Sequence, residues 1–450
     1  MEVGSKVVAA SGALPLIGHL LQLRTGLGFL ESLPAQGDLV EVRIGTWKAI
    51  VVCDPDLTHQ VLIDNRAYDM GGRVHAGFRK VLGNGVGTCS YHDHRRQRLL
   101  LQPAFHSGRF SGYSRIMTEQ IARLVGSWHD GQTIDVYAEA SRLTSRITAK
   151  ALFVADSAGP AAAAVEESLA DINRGVLRYA IAPLPDNFPA PWNRRFHGAL
   201  ARVRSAVDAV IDSYRRSGID YGDVLSALLA ARDEAGDPLS DAEIQDQVLT
   251  LLTAAIGTAA TSLTWALHLL AHHPHILERL LSEVDVVLEG RIATWNDLPQ
   301  LRLTQQILNE SLRLYPPGWI FTRTVMVDTT LAGVPLPVGS AMIYSPYLIH
   351  HRADLFVDPD RFDPDRWGAD QSTQWPRNAW IPFGAGARKC MGETFALAEE
   401  TLALATIAAR WTVQPVTFPP APLKARLGPT LIPREPRLRL HQRHGTPDSE

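Results

Sequence analysis

The sequence predicts a mainly α protein, a large helical portion with a smaller β-rich portion beside it. Three observations carry this. Helical periodicity runs with few breaks from about Ser111 to Ala271. Within it, Ser240–His273 contains no proline, and at about 1.5 Å per residue such a helix would cross the whole molecule. Strand composition appears at Asp38–Asp54, at Arg323–Ile343 and again after residue 411. The chain has 450 residues, well past the roughly 250–300 at which single cores stop growing, so one enzyme-sized body with two lobes is expected.

The elements follow in order. Lys6 precedes an apolar stretch, Val7–Leu23, but Gly12, Pro15, Gly18 and His19 interrupt it. It also falls short of the ~20 apolar residues a spanning helix needs, so it reads as a packed, turning lead-in to a soluble protein. Asp38–Asp54 alternates around Gly45 and reads as a hairpin. Ile116–Trp128, Val136–Val154 and Val203–Tyr214 are helical, with breaks at Gly159-Pro160 and Pro183–Pro191. Ser240 and Glu243 have the spacing of a capping box, and Val248–Trp265 carries no charge, which marks a helix buried all round. His275–Leu288 and Leu303–Leu314 are helical, the latter ended by Pro316-Pro317. Arg323–Ile343 reads as strands with turns at Asp328 and Gly333, and Pro359–Pro382 as an ordered irregular loop. A last helix runs from about Cys390 to Arg410, and two β-like pieces precede a polar tail over 441–450. The β-rich portion thus comes mainly from 38–66, 323–343 and 412–440, and the helical portion from 92–315 and 390–410.

Composition narrows the function. Hydrophobic residues make up 46% and charged residues 20%, which excludes disorder as the dominant state. Lys+Arg 44 against Asp+Glu 47 gives a net charge of -3, unlike a dedicated nucleic-acid binder. Three cysteines, Cys53, Cys89 and Cys390, are too few and scattered for a disulfide framework or a CxxC zinc site. A reducing cytosol fits, and any cysteine chemistry rests on one residue.

That residue is in Phe383-Gly384-Ala385-Gly386-Ala387-Arg388-Lys389-Cys390-Met391-Gly392. The glycines permit positive φ and close approach to a flat ligand. A cysteine at a helix start, with Arg388 beside it, sits where a thiolate is stabilised. Alone, such a segment reads equally as a glycine turn with an inert cysteine. Phe383, Gly384, Gly386, Arg388, Cys390 and Gly392 together resemble the haem-binding loop of the cytochrome P-450 haem-thiolate monooxygenases. The resemblance implies that family's fold, with haem between the two lobes of a single catalytic domain. It implies Cys390 as proximal ligand of a haem b iron, its electron donation favouring O–O cleavage of the cosubstrate O2. It further implies that the glycines let the loop lie under the porphyrin and that Arg388 pairs with a propionate.

Other segments match in the family's order over nearly the whole chain. Glu310 and Arg313 share a helix face, and with Arg366 of Phe362–Trp367 the resemblance makes them a structural network beneath the loop. His94 and Arg98 also share a face. By spacing alone they are a basic surface patch as readily as a site, but the family directs these positions, like Arg323, at propionates. On the long helix the usual Ala/Gly-Gly-x-acid-Thr reads Ala254-Ala255-Ile256-Gly257-Thr258. Thr258 holds the alcohol position, where it would bond the oxygen or a water beside it. Gly257 replaces the acid, so protons are expected through water, Thr261 or Ser262, or a substrate hydroxyl. The alternative for Thr258 is a buried threonine bonded back to its own helix.

The implied activity is insertion of one atom of O2 into a C–H or C=C bond of an apolar small molecule. Met70–Cys89, Ile181–Phe188, Leu251–Thr258, Gly318–Phe321 and Pro429–Ile432 match substrate-contact regions and hold few fixed charges. The motifs look closest to bacterial enzymes that decorate terpenes and other secondary metabolites. With no reductase-like extension, a ferredoxin and its reductase are the expected donors, and Arg95, Arg96 and Lys389 form part of a candidate cationic docking face or, just as readily, a solvated unspecific patch. A cytoplasmic monomer without membrane anchor or nucleic-acid partner is expected. Competing readings are an atypical haem-thiolate enzyme doing radical coupling or peroxide-driven oxidation, and a non-catalytic haem sensor or carrier.

Overall fold

The computed structural model describes residues 6–24, 26–153, 159–181, 190–368, 376, 378–417 and 423–443. The lead-in contains β1 (Val8–Ala9), α1 (Leu20–Arg24) and α2 (Gly28–Glu31). It packs as expected: β1 runs parallel to β2 (Leu39–Ile44), and buried His19 accepts from Arg43 N at 2.9 Å. Gly18 is required there, because at φ 61° a Cβ would lie 2.3 Å from Arg43 O. β2 and β3 (Trp47–Val52) form the hairpin read at Asp38–Asp54, turned by Gly45 at φ 60°.

Then come α3 (Pro55–Ile63), β4 (Tyr68–Met70), α4 (Gly72–Leu82), α5 (Tyr91–Leu101), α6 (Phe110–Gly126), β5 (Thr133–Asp135) and α7 (Val136–Leu152). α8 (Gly159–Ile181), α9 (Pro191–Ser217), α10 (Val224–Ala230) and α11 (Asp241–His272) complete the helical middle. α12 (Pro274–Leu288), α13 (Arg302–Leu314), β6 (Phe321–Val325), β7 (Thr329–Leu331), β8 (Val334–Leu336), β9 (Ala341–Tyr344) and α14 (Pro346–His350) follow. The chain ends with α15 (Glu393–Arg410), β10 (Trp411–Pro415), β11 (Ala425–Arg426), β12 (Ile432–Pro433) and β13 (Arg437–Gln442). The main sheet has the order β1-β2-β3-β9-β6-β4, and a second sheet the order β10-β13-β5.

Four boundaries differ from the sequence reading. The stretch 38–66 contains α3, whose start is fixed by Pro55 and by Asp54 Oδ1 accepting from Asp56 N and Leu57 N. β5 interrupts the helical middle. β13 carries His441 into the sheet opposite Thr412, so that residue is not tail. The last helix begins at Glu393, not at Cys390. Val154, most of the Pro183–Pro191 break and residues 444–450 of the tail lie outside the described residues.

α11 is the axis of the molecule. Its N-terminus is the capping box read from the sequence, with Glu243 N donating to Ser240 Oγ at 3.3 Å and Ser240 N to the Glu243 carboxylate at 2.8 Å. By length and composition this helix could cross a membrane, yet 67% of its most apolar window is buried, as in the central helix of a folded core. Fully buried Trp265 stacks on Tyr315 with centroids 3.5 Å apart and donates to Leu431 O at 2.8 Å.

Two buried polar arrangements hold the frame. On α13, Glu310 receives Arg313 Nε at 2.8 Å and Nη2 at 2.9 Å, Arg366 Nε at 3.2 Å and Trp367 Nε1 at 3.0 Å. Arg313 Nη1 also donates to His350 O at 2.9 Å. His350 Nε2 in turn accepts from Ile381 N at 3.0 Å, two residues before Phe383. Burial holds the His350 ring neutral, which leaves Nε2 its lone pair. On α15, buried Glu400 accepts from Ser262 Oγ at 2.7 Å, and burial raises its pKa to about 8. Burial and the Glu400 charge raise Glu399 as well.

Glu310→Ala leaves Arg313 buried without its carboxylate, so a loss of about 3–5 kcal/mol in denaturant unfolding is expected. A loss under about 1 kcal/mol would show the pair to be dispensable. Glu400 is protonated in the fold, while its unfolded pKa is near 4.5, so its stabilising contribution disappears as pH rises from about 4.5 through about 8. Glu400→Gln keeps a partner for Ser262 and removes that ionisation. Its unfolding free energy relative to wild type should therefore improve between pH 5 and pH 8, as read by urea denaturation at each pH.

Candidate active site

The segment Phe383–Gly392 is held from both ends. Cys390 N donates to Phe383 O at 3.0 Å and Gly384 N to Ile381 O at 3.0 Å, closing the loop. Gly384 and Gly386 take φ of 70° and 66°. A Cβ on Gly386 would stand 2.4 Å from Leu62 O, so this backbone lies directly on α3 and only glycine fits. The Cys390 side chain is exposed on one side. It sits two residues ahead of Gly392, the N-cap of α15, so the lowered thiol pKa expected of a helix start is not found. Burial by the surrounding walls pushes the pKa up, outweighing the Gly392 N–H, Arg98 and Lys389, which pull it down.

The four cation positions read from the sequence converge. α5 supplies His94, buried, and Arg98, whose Nη1 donates to Lys389 O at 2.8 Å, beside the cysteine. β6 supplies Arg323, 1% exposed and 5.8 Å from the centre of the Tyr344 ring. Their charges reach one another: burial first, then Arg388, Arg98 and Arg323, lower the His94 pKa to about 4. Arg388 was expected to serve a propionate. Its Nη2 is instead 2.8 Å from Asp69 Oδ1 and 2.9 Å from Cys89 O, while its Nε has no partner. Asp69 was not singled out in the sequence. Strand β4 brings it here, pairing Asp69 with Thr324 beside Arg323. Its other oxygen accepts from Tyr91 N, the first residue of α5, at 2.8 Å.

Beyond its partly exposed first turns, α11 is buried except for one open stripe before its last residue: Ala254 and Thr258 are exposed, Leu251, Thr253 and Ala255 half-buried. Thr258 Oγ donates to Ala254 O at 2.6 Å, so the alternative of back-bonding holds in this conformation, though the hydroxyl stays on the open stripe. Gly257 is buried, and a Cβ there would meet nothing within 4 Å. Of the proposed proton carriers, Thr261 donates to Gly257 O at 2.8 Å and lies 3.1 Å from Thr430 Oγ1. Ser262 is turned to Glu400 and away from the stripe. Trp319 Nε1 donates to Gly428 O at 2.8 Å and so ties the expected substrate-contact region Gly318–Phe321 to the residue just before another, Pro429–Ile432. Residues 182–188 of a third region lie outside the described residues.

On the expected docking face each cation has an acidic neighbour. Arg95 pairs with Glu234 at 3.4 Å, Arg96 with Asp233 at 2.6 Å and Glu243 at 2.5 Å, and Lys389 with Glu393 at 2.5 Å. Arg96 joins α5 to the cap of α11 and is a structural cross-link.

The residues fit a haem. Arg323 Nε and Nη1 and Arg388 Nε are buried donors without partners. Three guanidiniums, of Arg98, Arg323 and Arg388, against the one carboxylate of Asp69 leave two positive charges, matching the two propionates that group carries. Covalent attachment would need a C-x-x-C-H run, which the three cysteines do not form.

Comparison with known proteins agrees. The family model described as Cytochrome P450 matches residues 10–438. Cyclooctatin synthase of Streptomyces melanosporofaciens is 46% identical over 437 residues, covering 95% of each chain. Pentalenene oxygenase of Streptomyces avermitilis is 43% identical, covering 96% of this chain and 97% of its own. The crystal structure of the cytochrome P450DA heme domain superposes with a TM-score of 0.86 at 27% identity, covering 97% of this chain and 98% of that one. With the loop, the cations and the long helix in the same frame, the chain belongs to the cytochrome P450 family of haem-thiolate monooxygenases.

Proposed function

We propose that the protein inserts one atom of O2 into a C–H or C=C bond of a cyclic terpenoid, using electrons from a ferredoxin and its reductase. The observation that carries the cofactor half is the open-sided Cys390 sulfur set beside buried, unpartnered guanidinium donors. The substrate half is supported by the apolar character of the α11 stripe and by the relatives named cyclooctatin synthase and pentalenene oxygenase.

In this reading Cys390 would ligate a non-covalent haem b as its thiolate. When bound, that group would supply the activation of dioxygen and the oxidation itself. His94, Arg98, Arg323 and Arg388 would hold the propionates, the last shared with Asp69. Phe383, Gly384 and Gly386 set the height of the loop. Leu251, Ala254 and Ala255 hold an apolar guest on the open stripe and keep water from it. Thr258, on the same stripe, exchanges its bond to Ala254 O for one that steadies a proton at the reacting oxygen. With no carboxyl at 257, that proton is replenished through water or a guest hydroxyl. The protein acts as a cytoplasmic monomer.

One series of measurements tests this. The reduced carbonyl adduct of purified holoprotein should show the red-shifted Soret band of a thiolate-ligated haem, and Cys390→His should replace it with a globin-like band. An identical spectrum in the variant would remove Cys390 from the iron. In a panel of cyclic terpenes, fatty acids and polyketides, the terpenes should produce the largest ferric optical shifts. With the best of them, Thr258→Ala should divert most electrons to peroxide at a similar rate of electron uptake. Unchanged coupling would discard the role given to the hydroxyl.

A further inference from the structure

Away from this site, a cavity of about 330 Å³ lies between the C-terminal end of α11 and the segment 423–437. Three cations line it, Lys424, Arg434 and Arg437, against one carboxylate, Glu435. Across the rest of the surface, arginines such as Arg279, Arg291 and Arg352 sit within 2.6 Å of a carboxylate. Among the described residues, none of these three cations makes an ion pair, with Glu435 or with any other acid.

Two further observations point inward. Arg434 N donates to Lys424 O at 2.9 Å, and β11 and β12 pair Ala425 with Pro433. Lys424 and Arg434 therefore stand opposite each other at the exposed open end of the hairpin, a like-charge cross-strand pair whose mutual repulsion a bound anion would relieve. At the back of the cavity stands His268, 7% exposed, whose Nδ1 has no hydrogen-bond partner. Beside it, the His272 ring lies 5.2 Å away and bonds through its own Nδ1 to His268 O at 2.8 Å. A neutral imidazole can carry its proton on Nδ1, so His268 offers a buried donor on the wall of the cavity that the three cations also line.

We propose that this cavity binds a small oxyanion, phosphate or carboxylate, held by Lys424, Arg434 and Arg437 and by the His268 Nδ1–H. The arginine forks and the ammonium take the oxygens as charge-assisted donors. The anion relieves the Lys424–Arg434 repulsion and gives His268 its missing partner. The same segment carries Thr430, which meets Thr261 of α11, so an occupied cavity ties that segment to the central helix at a second point.

Calorimetric titration of the holoprotein at low ionic strength tests this, with inorganic phosphate in one arm, succinate in another and chloride as control. Saturable binding of phosphate, succinate or both is expected, and the arm that binds names the source chemistry. Arg434→Gln and Lys424→Gln should each weaken it about tenfold or more. Arg434→Lys should retain most of it, and Arg95→Gln, outside the cavity, all of it. Both charge variants lie on the surface, and an unchanged circular dichroism spectrum confirms their fold. No saturable binding in either arm, chloride competing equally, or affinity unaltered in both charge variants would overturn the proposal.

Discussion

The structure depends on one buried carboxylate. Glu310, itself fully buried, accepts hydrogen bonds from two arginines, a tryptophan and the Asp363 N–H at 3.1 Å. Such a group is tolerated only when every lone pair is used and the charge is answered. Here two guanidiniums answer one carboxylate, and the surplus charge is spread onto the carbonyls of His350, Arg361 and Asp358. Because those carbonyls belong to the segments leading to the cysteine loop, satisfying Glu310 also fixes where that loop begins. His350 completes the linkage by bonding Arg313 O on one nitrogen and Ile381 N on the other.

From that frame the site's electrostatics follow. α5, β6 and the cysteine loop each deliver a guanidinium to one place, and such a cluster would repel itself in a bare fold. Asp69 neutralises part of it and anchors the first turn of α5 by accepting from Tyr91 N. The donors left over at this place, Arg323 Nε and Nη1 and Arg388 Nε, have no protein partner. His94 is neutral in the same field, which makes it a hydrogen-bond donor and not a fourth charge.

Legibility in the sequence divides along the range of the interaction. The capping box at Ser240, the hairpin around Gly45 and the Glu310–Arg313 pair involve residues a few positions apart, and each could be read directly. So could Cys390 and its glycines, because the pattern is contiguous. β5 could not, since its three residues are strand only by pairing with Arg437–Arg439 of β13. Asp69 meets Arg388 across 319 positions, and no local pattern marks it. For Arg95, Arg96 and Lys389 the basic character was legible but the pairing was not, because their acidic neighbours come from other elements or the next turn. The start of α15 was misplaced by three residues because the bend at Cys390 is set by the hydrogen bond to Phe383 O and not by propensity.

Gly257 stands apart from these packed positions. A Cβ there meets no neighbouring side chain within 4 Å, so the scaffold itself leaves room for at least a methyl group at this position. A single codon step to alanine would therefore be accommodated without displacing the scaffold around it.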